Sequence, residues 1–275
     1  MNSATSLHPA GGAAGPGPAA APPAFIRLEE VSKRWPDGSL VLDRVSLGVG
    51  PGEFVSLIGP SGCGKSTLLR LLSGLSPATS GRLLLDGMQP ADAREIMSFI
   101  FQDATLLPWR TVLGNVELAL ELEQRLGAAE RRARAGELLR LVGLADVQQH
   151  YPRQLSGGMR MRVSIARALA HRPRILLMDE PFGALDEMTR DFLNEEVLRL
   201  REVDRFTTFF VTHSVAEAVF LSTRILVLRA RPGRIEQEIP VPFPFPRTPA
   251  LRSAPEFLGL VGQVSSALRA VKALA

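Results

Sequence analysis

The chain is poor in the residues that staple extracellular folds or span lipid. One cysteine, Cys63, occurs in 275 residues, so no intrachain disulfide can form and a reducing cytosol is the natural compartment. No uninterrupted apolar run approaches the ~18 residues that a membrane-crossing helix needs, so the chain is not expected to cross a bilayer by itself. Aromatic residues make up 6% and charged residues 22%, ordinary for a folded soluble protein long enough to bury a sizeable core as one large domain or two small ones. Lys and Arg number 32 against 28 Asp and Glu, a formal net charge of +4. That excess is modest. One denser patch, Arg125, Arg131, Arg132 and Arg134, reads as a solvated helix face and not as a nucleic-acid footprint, while an anionic membrane surface stays compatible as a neighbour. Residues 1–24 hold Ala, Gly and Pro with little else and lack the basic start and apolar centre of a secretion signal; they are expected to form a disordered tail.

What is present is a phosphate-binding signature. Gly59-Pro60-Ser61-Gly62-Cys63-Gly64-Lys65-Ser66-Thr67 fits G-x-x-x-x-G-K-[ST] and follows the apolar run Phe54-Val55-Ser56-Leu57-Ile58. A strand, a glycine loop and a helix are therefore expected. The glycines let consecutive backbone N–H groups turn inward around phosphate oxygens, and the helix adds its positive end. Lys65 is expected to reach the β- and γ-phosphates of a nucleoside triphosphate, and the Ser66 hydroxyl to ligate Mg²⁺. Cys63 reads as a small filler in a tight loop.

Order is expected to begin at the alternating run Phe25–Val31, followed by a turn at Pro36–Ser39. Leu40–Leu42 and Val45–Leu47 are expected as a pair of strands leading over Pro51-Gly52 to the phosphate-loop strand. Trp35, at the end of the first strand, could stack on adenine or pack on its own hairpin, and spacing leaves both open. Beyond the loop a helix should end at Gly74, with short strands at Arg82–Gly87 and Ile96–Phe101. Residues 103–150 carry two helical patterns and no convincing strand, which predicts a helical insertion in an α/β domain.

Ser156-Gly157-Gly158 opens a further helix and repeats the anion-binding arrangement of a helix N-terminus, although Ser156 alone is also a good N-cap. Arg174–Glu180 is an apolar run ending in two acids, as suits a buried parallel strand whose C-terminal end faces a ligand. Asp179 can hold the Mg²⁺ that Ser66 touches, and Glu180 can orient or deprotonate a water. A helix is expected from Gly183 to about Val203, and a strand Thr207–Thr212 then delivers His213 to the same edge, within reach of the γ-phosphate. Strand Ile225–Leu228, a turn at Arg231–Arg234, a proline-rich stretch at 240–249 and an amphipathic helix over roughly 255–273 complete the chain; that helix is expected to pack on its own domain.

Taken together, residues 25 to about 240 resemble the nucleotide-binding subunit of an ATP-binding cassette (ABC) transporter. The resemblance implies an α/β phosphate-loop NTPase: a RecA-like core with a mainly parallel sheet, an antiparallel β subdomain and an inserted α-helical subdomain at about 103–165, with 241–275 as a C-terminal extension. It implies ATP and Mg²⁺ as cofactors. Position by position, Gly59 to Thr67 match the phosphate loop, Trp35 the adenine-stacking aromatic and Gln102 the glutamine that senses Mg²⁺ and the membrane partner. Leu155-Ser156-Gly157-Gly158 match the signature, Asp179 and Glu180 the metal-binding and catalytic acids, Asp186 the dimer-contacting loop and His213 the switch histidine. Where relatives often read Arg-Gln-Arg after the signature, this chain has Arg160-Met161-Arg162, which is expected to alter contacts beside the signature.

The family pattern further implies a head-to-tail dimer in which Ser156 and Gly158 of one copy cap the γ-phosphate held by Lys65 of the other. One phosphate loop per chain calls for a second copy. Gln102–Trp109, Asp186–Arg190 and Val211–Ala218 resemble importers of the nitrate, sulfonate and taurine type, with Leu107, Pro108 and Trp109 lining the groove for a permease's coupling helix. The expected setting is the cytoplasmic face of the cell membrane, beside a permease and, indirectly, a solute-binding protein, with no nucleic acid. Two other readings are an exporter's cassette subunit and a soluble cassette protein acting on nucleic acid or ribosomes. The latter class usually carries two cassettes or a long coiled-coil insertion, and neither is seen here.

Overall fold

The computed structural model describes residues 24–123, 126–183 and 185–273. The tail expected up to residue 24 lies, through residue 23, outside the described residues, as do Arg125 and Ala184. The strands are β1 (Ile26–Arg34), β2 (Leu40–Val49), β3 (Phe54–Ile58), β4 (Ser80–Leu85), β5 (Met97–Ile100), β6 (Ile175–Asp179), β7 (Thr207–Val211), β8 (Arg224–Arg229) and β9 (Arg234–Pro240). The helices are α1 (Lys65–Leu72), α2 (Val112–Glu123), α3 (Ala128–Leu141), α4 (Gly157–Leu169), α5 (Glu187–Asp204), α6 (Val215–Leu221) and α7 (Pro255–Ala273). The architecture has a mainly parallel sheet, a separate antiparallel sheet and a group of inserted helices, the arrangement that the resemblance implies.

The larger sheet runs β5-β6-β7-β3-β8-β9, parallel except for β9. Strands β3 and β7 are buried along their whole length and β6 up to Asp179, because helices cover both faces; this is why their sequences read as near-continuous apolar runs. Since β6, β7 and β3 are neighbours and parallel, Ile58, Asp179 and Val211 end at one edge. The residues that follow each strand thereby meet in one place. The smaller sheet, β2-β1-β4, is antiparallel and packs through Ile26, Val31 and Leu42 on the same apolar cluster as Leu57 and Leu68. A separate cluster, including Val112, Leu139 and Val163, joins α2, α3 and α4.

Three local expectations are corrected. Leu40–Leu42 and Val45–Leu47 belong to one strand, β2, not two: Arg44 takes a left-handed φ of 46°, its N–H donates to the Ser32 hydroxyl at 2.9 Å, and the irregularity keeps pairing with β1 continuous. Residues 234–240 form an edge strand, β9, where only a turn and a proline-rich stretch were expected; Ile239 is buried and Arg224 pairs with Glu238 across the strands at 2.9 Å. The helix expected from Gly183 begins at Glu187, because Asp186 stays extended as its N-cap and accepts from Thr189 N at 2.9 Å.

Helix α7 buries Phe257, Leu260, Val264 and Val271 and packs on α6 and β8 of the same chain, as expected. The segment leading to it is held by Arg247. Its guanidinium donates to Val219 O (3.2 Å), Phe220 O (2.7 Å) and Phe243 O (2.7 Å), so it satisfies carbonyls at the C-terminal end of α6. Burial lowers its pKa to about 10, which leaves it charged at neutral pH. Phe245 lies between Arg247 and Arg201, each guanidinium carbon 4.0 Å from the ring centroid. Arg247→Met keeps much of the volume and removes every donor. It is expected to lower unfolding stability by about 1.5–3 kcal/mol, the range for hydrogen bonds to charged groups. An unchanged urea midpoint would show that these bonds contribute nothing net.

Candidate nucleotide-binding site

The loop between β3 and α1 is shaped by its glycines. A Cβ on Gly59 would lie 2.6 Å from Leu228 O and 2.7 Å from Cys63 Sγ, and Gly64 combines φ 96° with a Cβ position 2.6 Å from Leu42 Cδ2. Glycine at these two places lets the loop lie against β8 and β2, leaving a concave backbone before the α1 N-terminus. Ser61 and Gly62 are exposed on that loop, Pro60, Ser66 and Thr67 are half-buried, and Cys63 faces inward. Burial pushes the Cys63 thiol up, which keeps it protonated and suits a packing role. Lys65 is 6% exposed, and its Nζ donates to Gly59 O (3.0 Å) and Pro60 O (3.1 Å), folding the ammonium over the loop.

At the neighbouring strand ends, Ser66 Oγ donates to Asp179 Oδ1 at 3.0 Å. Burial pushes the Asp179 carboxyl up; the Ser66 hydroxyl opposes this and the Glu180 charge adds to it. Glu180 has a left-handed φ of 49°, and its N–H donates to Val211 O at 3.0 Å, turning the chain sharply off β6. Its Oε1 lies 2.7 Å from His213 Nε2. Both residues, with Gln102, Phe182, Gly183 and Thr212, line a cleft of about 490 Å³.

The tertiary structure therefore brings Gln102, Glu180 and His213 together and pairs Ser66 with Asp179. Trp35 and the signature lie outside this cleft. Trp35 is half-buried at its hairpin, donating from its N–H to Ser39 O (2.9 Å), with Lys33 Nζ 4.9 Å from its ring centroid. Ser156 caps α4 by accepting from Met159 N (3.2 Å), Gly157 is exposed, and a Cβ on Gly158 would lie 3.2 Å from Leu185 Cδ2. Met161 points into the core and is 5% exposed, so the change from the common Arg-Gln-Arg pattern acts on packing beneath α4.

The donor chemistry suits a triphosphate with Mg²⁺. Ser66 and Asp179 offer hard oxygen ligands, and no group of three or more His, Cys, Asp or Glu side chains able to hold a metal occurs among the described residues. A cation here would complete its shell with phosphate and water oxygens, as Mg²⁺ commonly does.

Two features escaped the sequence reading. Arg190 and Glu217 also line the cleft, from different helices, and no local pattern links them. Asn115, fully buried, accepts from Leu107 N (2.8 Å) and donates to the carbonyls of Leu107 (3.1 Å), Arg110 (3.1 Å) and Thr111 (3.0 Å). It fixes the loop before α2 and leaves Trp109 72% exposed at its tip.

A family model described as "ABC transporter" matches residues 42–183. The uncharacterized ABC transporter ATP-binding protein MJ0412 of Methanocaldococcus jannaschii is 48% identical over 236 residues, covering 85% of this chain and 87% of its own. The taurine import ATP-binding protein TauB of Rhizobium johnstonii is 44% identical over 238 residues, with 85% and 90% covered. Among solved structures, a dimeric post-hydrolysis state of the ATP-binding cassette MJ0796, bound to ADP and Pi, superposes with a TM-score of 0.73 at 37% identity, covering 79% of this chain and 99% of that one. With this fold, this loop and these relatives, the chain belongs to the ABC transporter family, as an ATP-binding cassette whose ATPase is coupled to transport.

Proposed function

We propose that the chain energises an importer for a small anion of the nitrate, sulfonate or taurine class, working on a separate membrane permease from the cytoplasmic face of the membrane. The observation that carries the catalytic reading is the Glu180–His213 pair, 2.7 Å apart beside the Ser66–Asp179 pair. The phosphate loop, Gly59 to Thr67, cradles the phosphates through its backbone, and Lys65 swings from its carbonyl partners to the β- and γ-phosphates. Ser66 and Asp179, with Gln102 at the cleft, hold Mg²⁺, which when bound neutralises phosphate charge. Glu180 orients the attacking water and accepts its proton; His213, donating from Nε2, holds the carboxylate in place and faces the γ-phosphate side. Trp35 offers its free face to adenine.

Ser156, Gly157 and Gly158 act on the nucleotide of a second copy, supported by the exposure of Ser156 and Gly157 at a helix N-terminus and by the dimeric relative. Binding closes the pair and hydrolysis reopens it, so phosphate chemistry becomes motion. The units follow as residues 25–240 for the ATPase, with a helical subdomain near 103–165, and 241–275 as an extension. A solute-binding protein delivers the anion to the permease. No nucleic-acid partner forms part of this reading; two arginines of the basic patch donate to backbone carbonyls, Arg131 to Leu126 O (2.7 Å) and Arg134 to Ala170 O (2.6 Å).

The permease contact falls on Leu107, Pro108 and Trp109, where Asn115 holds the loop backbone and the Trp109 indole is exposed. Buried Trp anchors carry upwards of about 2 kcal/mol at interfaces, so Trp109→Ala should weaken permease binding by roughly thirtyfold or more. Basal ATPase should be spared. Co-purification and transport with a candidate permease provide the check, and parental assembly by the variant would reject the contact.

A further inference from the structure

The switch histidine is tied to the C-terminal segment by a chain of buried and half-buried polar groups. Thr212 and Ser214 flank His213, and the Thr212 hydroxyl joins them: it donates to Glu217 Oε2 and accepts from Ser214 N at 3.0 Å. Glu217, on α6, is 4% exposed. Its other oxygen, Oε1, lies 3.4 Å from Arg190 Nε, and Arg190 in turn donates to Leu185 O at 2.8 Å, so the same group restrains the segment leading into α5. Burial pushes the Glu217 carboxyl up, while the Thr212 hydroxyl, Arg190 and Arg252 act the other way.

Arg252 comes from the segment between β9 and α7. Its guanidinium pairs with Asp191, the residue after Arg190, and lies over the Phe220 ring of α6 at 4.0 Å. Arg247, from the same segment, holds the carbonyls of Val219 and Phe220 at this same C-terminal end of α6. Thus α6 is gripped at its C-terminal end by the C-terminal segment, and at its N-terminal end carries the turn that aims His213 at Glu180.

We infer that residues 241–273 position the switch histidine: Arg252, acting through Asp191, Phe220 and the Arg190–Glu217–Thr212 chain, is a positioning residue for hydrolysis. This rests on the reading of His213 proposed above. Arg252 is remote from the phosphate loop, so loosening it should misplace the Glu180–His213 pair and leave nucleotide capture alone. A displacement near 1 Å can cost up to about a hundredfold in rate.

The test is steady-state ATPase kinetics on the full chain for Arg252→Gln, Arg252→Lys, Glu217→Gln, His213→Ala and the double variant Arg252→Gln/His213→Ala. Arg252→Gln is expected to lower kcat roughly ten- to a hundredfold with KM for ATP unchanged. Arg252→Lys should recover most of the loss. In the His213→Ala background Arg252→Gln should have no further effect, because residues acting as a unit are not additive. Glu217→Gln gives a second route to the same readout should Arg252→Gln fail to fold. Parental kcat in both Arg252→Gln and Glu217→Gln beside an impaired His213→Ala overturns the inference alone, as does a double variant whose losses multiply. Parental turnover by His213→Ala overturns the catalytic reading and this inference together.

Discussion

Glu180→Gln is expected to bind ATP as tightly as the parent chain while turnover falls by about 10²–10⁴-fold, the contribution of a positioned general base. The amide is nearly isosteric, so the backbone turn set by Glu180 N to Val211 O (3.0 Å) survives. The carbonyl end of Gln can still accept from His213 Nε2, where the carboxylate oxygen sits at 2.7 Å in the parent. What disappears is the negative charge that takes up the proton of an attacking water. Removing that charge also relieves repulsion of the γ-phosphate, so affinity should not fall. With ATP bound and not consumed, the two-copy closed state should accumulate. Nucleotide binding, phosphate release and light scattering on the same preparation test all three parts. Full hydrolysis by this variant would remove Glu180 from the mechanism, and a chain that stays monomeric with ATP would remove the sandwich dimer.

Lys65→Ala should have the second large effect, on binding itself. The ammonium is buried, and among the described residues its close oxygen partners are the carbonyls of Gly59 and Pro60, at 3.0 and 3.1 Å. A triphosphate supplies a much stronger partner at the same loop. Truncating one member of a buried, hydrogen-bonded charge pair costs about 2–5 kcal/mol, which is roughly thirty- to several-thousandfold in nucleotide affinity. Circular dichroism without nucleotide should show a folded chain, because α1 continues through Leu68, Leu69, Leu71 and Leu72, all buried. Undiminished ATP affinity in a folded variant would refute the loop assignment.

Much of the fold was readable because its signals are local. The buried strands β3, β6 and β7 announce themselves as apolar runs, and the helices α2 and α3 as periodic patterns. β9 was not readable. Arg234–Pro240 alternates, but it is an edge strand with charged Glu236 and Glu238 facing out, and it ends in proline, so it resembles a loop until β8 is placed beside it. The β2 irregularity at Arg44 was equally hidden, since its cause is the Ser32 hydroxyl on another strand. The Met161 change reads as an alteration of contacts beside the signature, and only packing shows that it is buried beneath α4.

The candidate site divides along the same line. By itself the sequence determined which chemical groups the chain possesses and how each is presented within its own segment: a glycine loop before a helix, two acids after a buried strand, a histidine after another. Such geometry depends on φ, ψ and hydrogen bonds between near neighbours in the chain. Tertiary structure alone decided which segments meet. Strand order β6-β7-β3, set by burying apolar faces contributed from distant parts of the chain, puts Ser66 on Asp179 and Glu180 on His213. The same long-range packing brings Glu217 and Arg190 beside the histidine turn and Arg252 onto Asp191, and such pairing has no signature in any one window of residues.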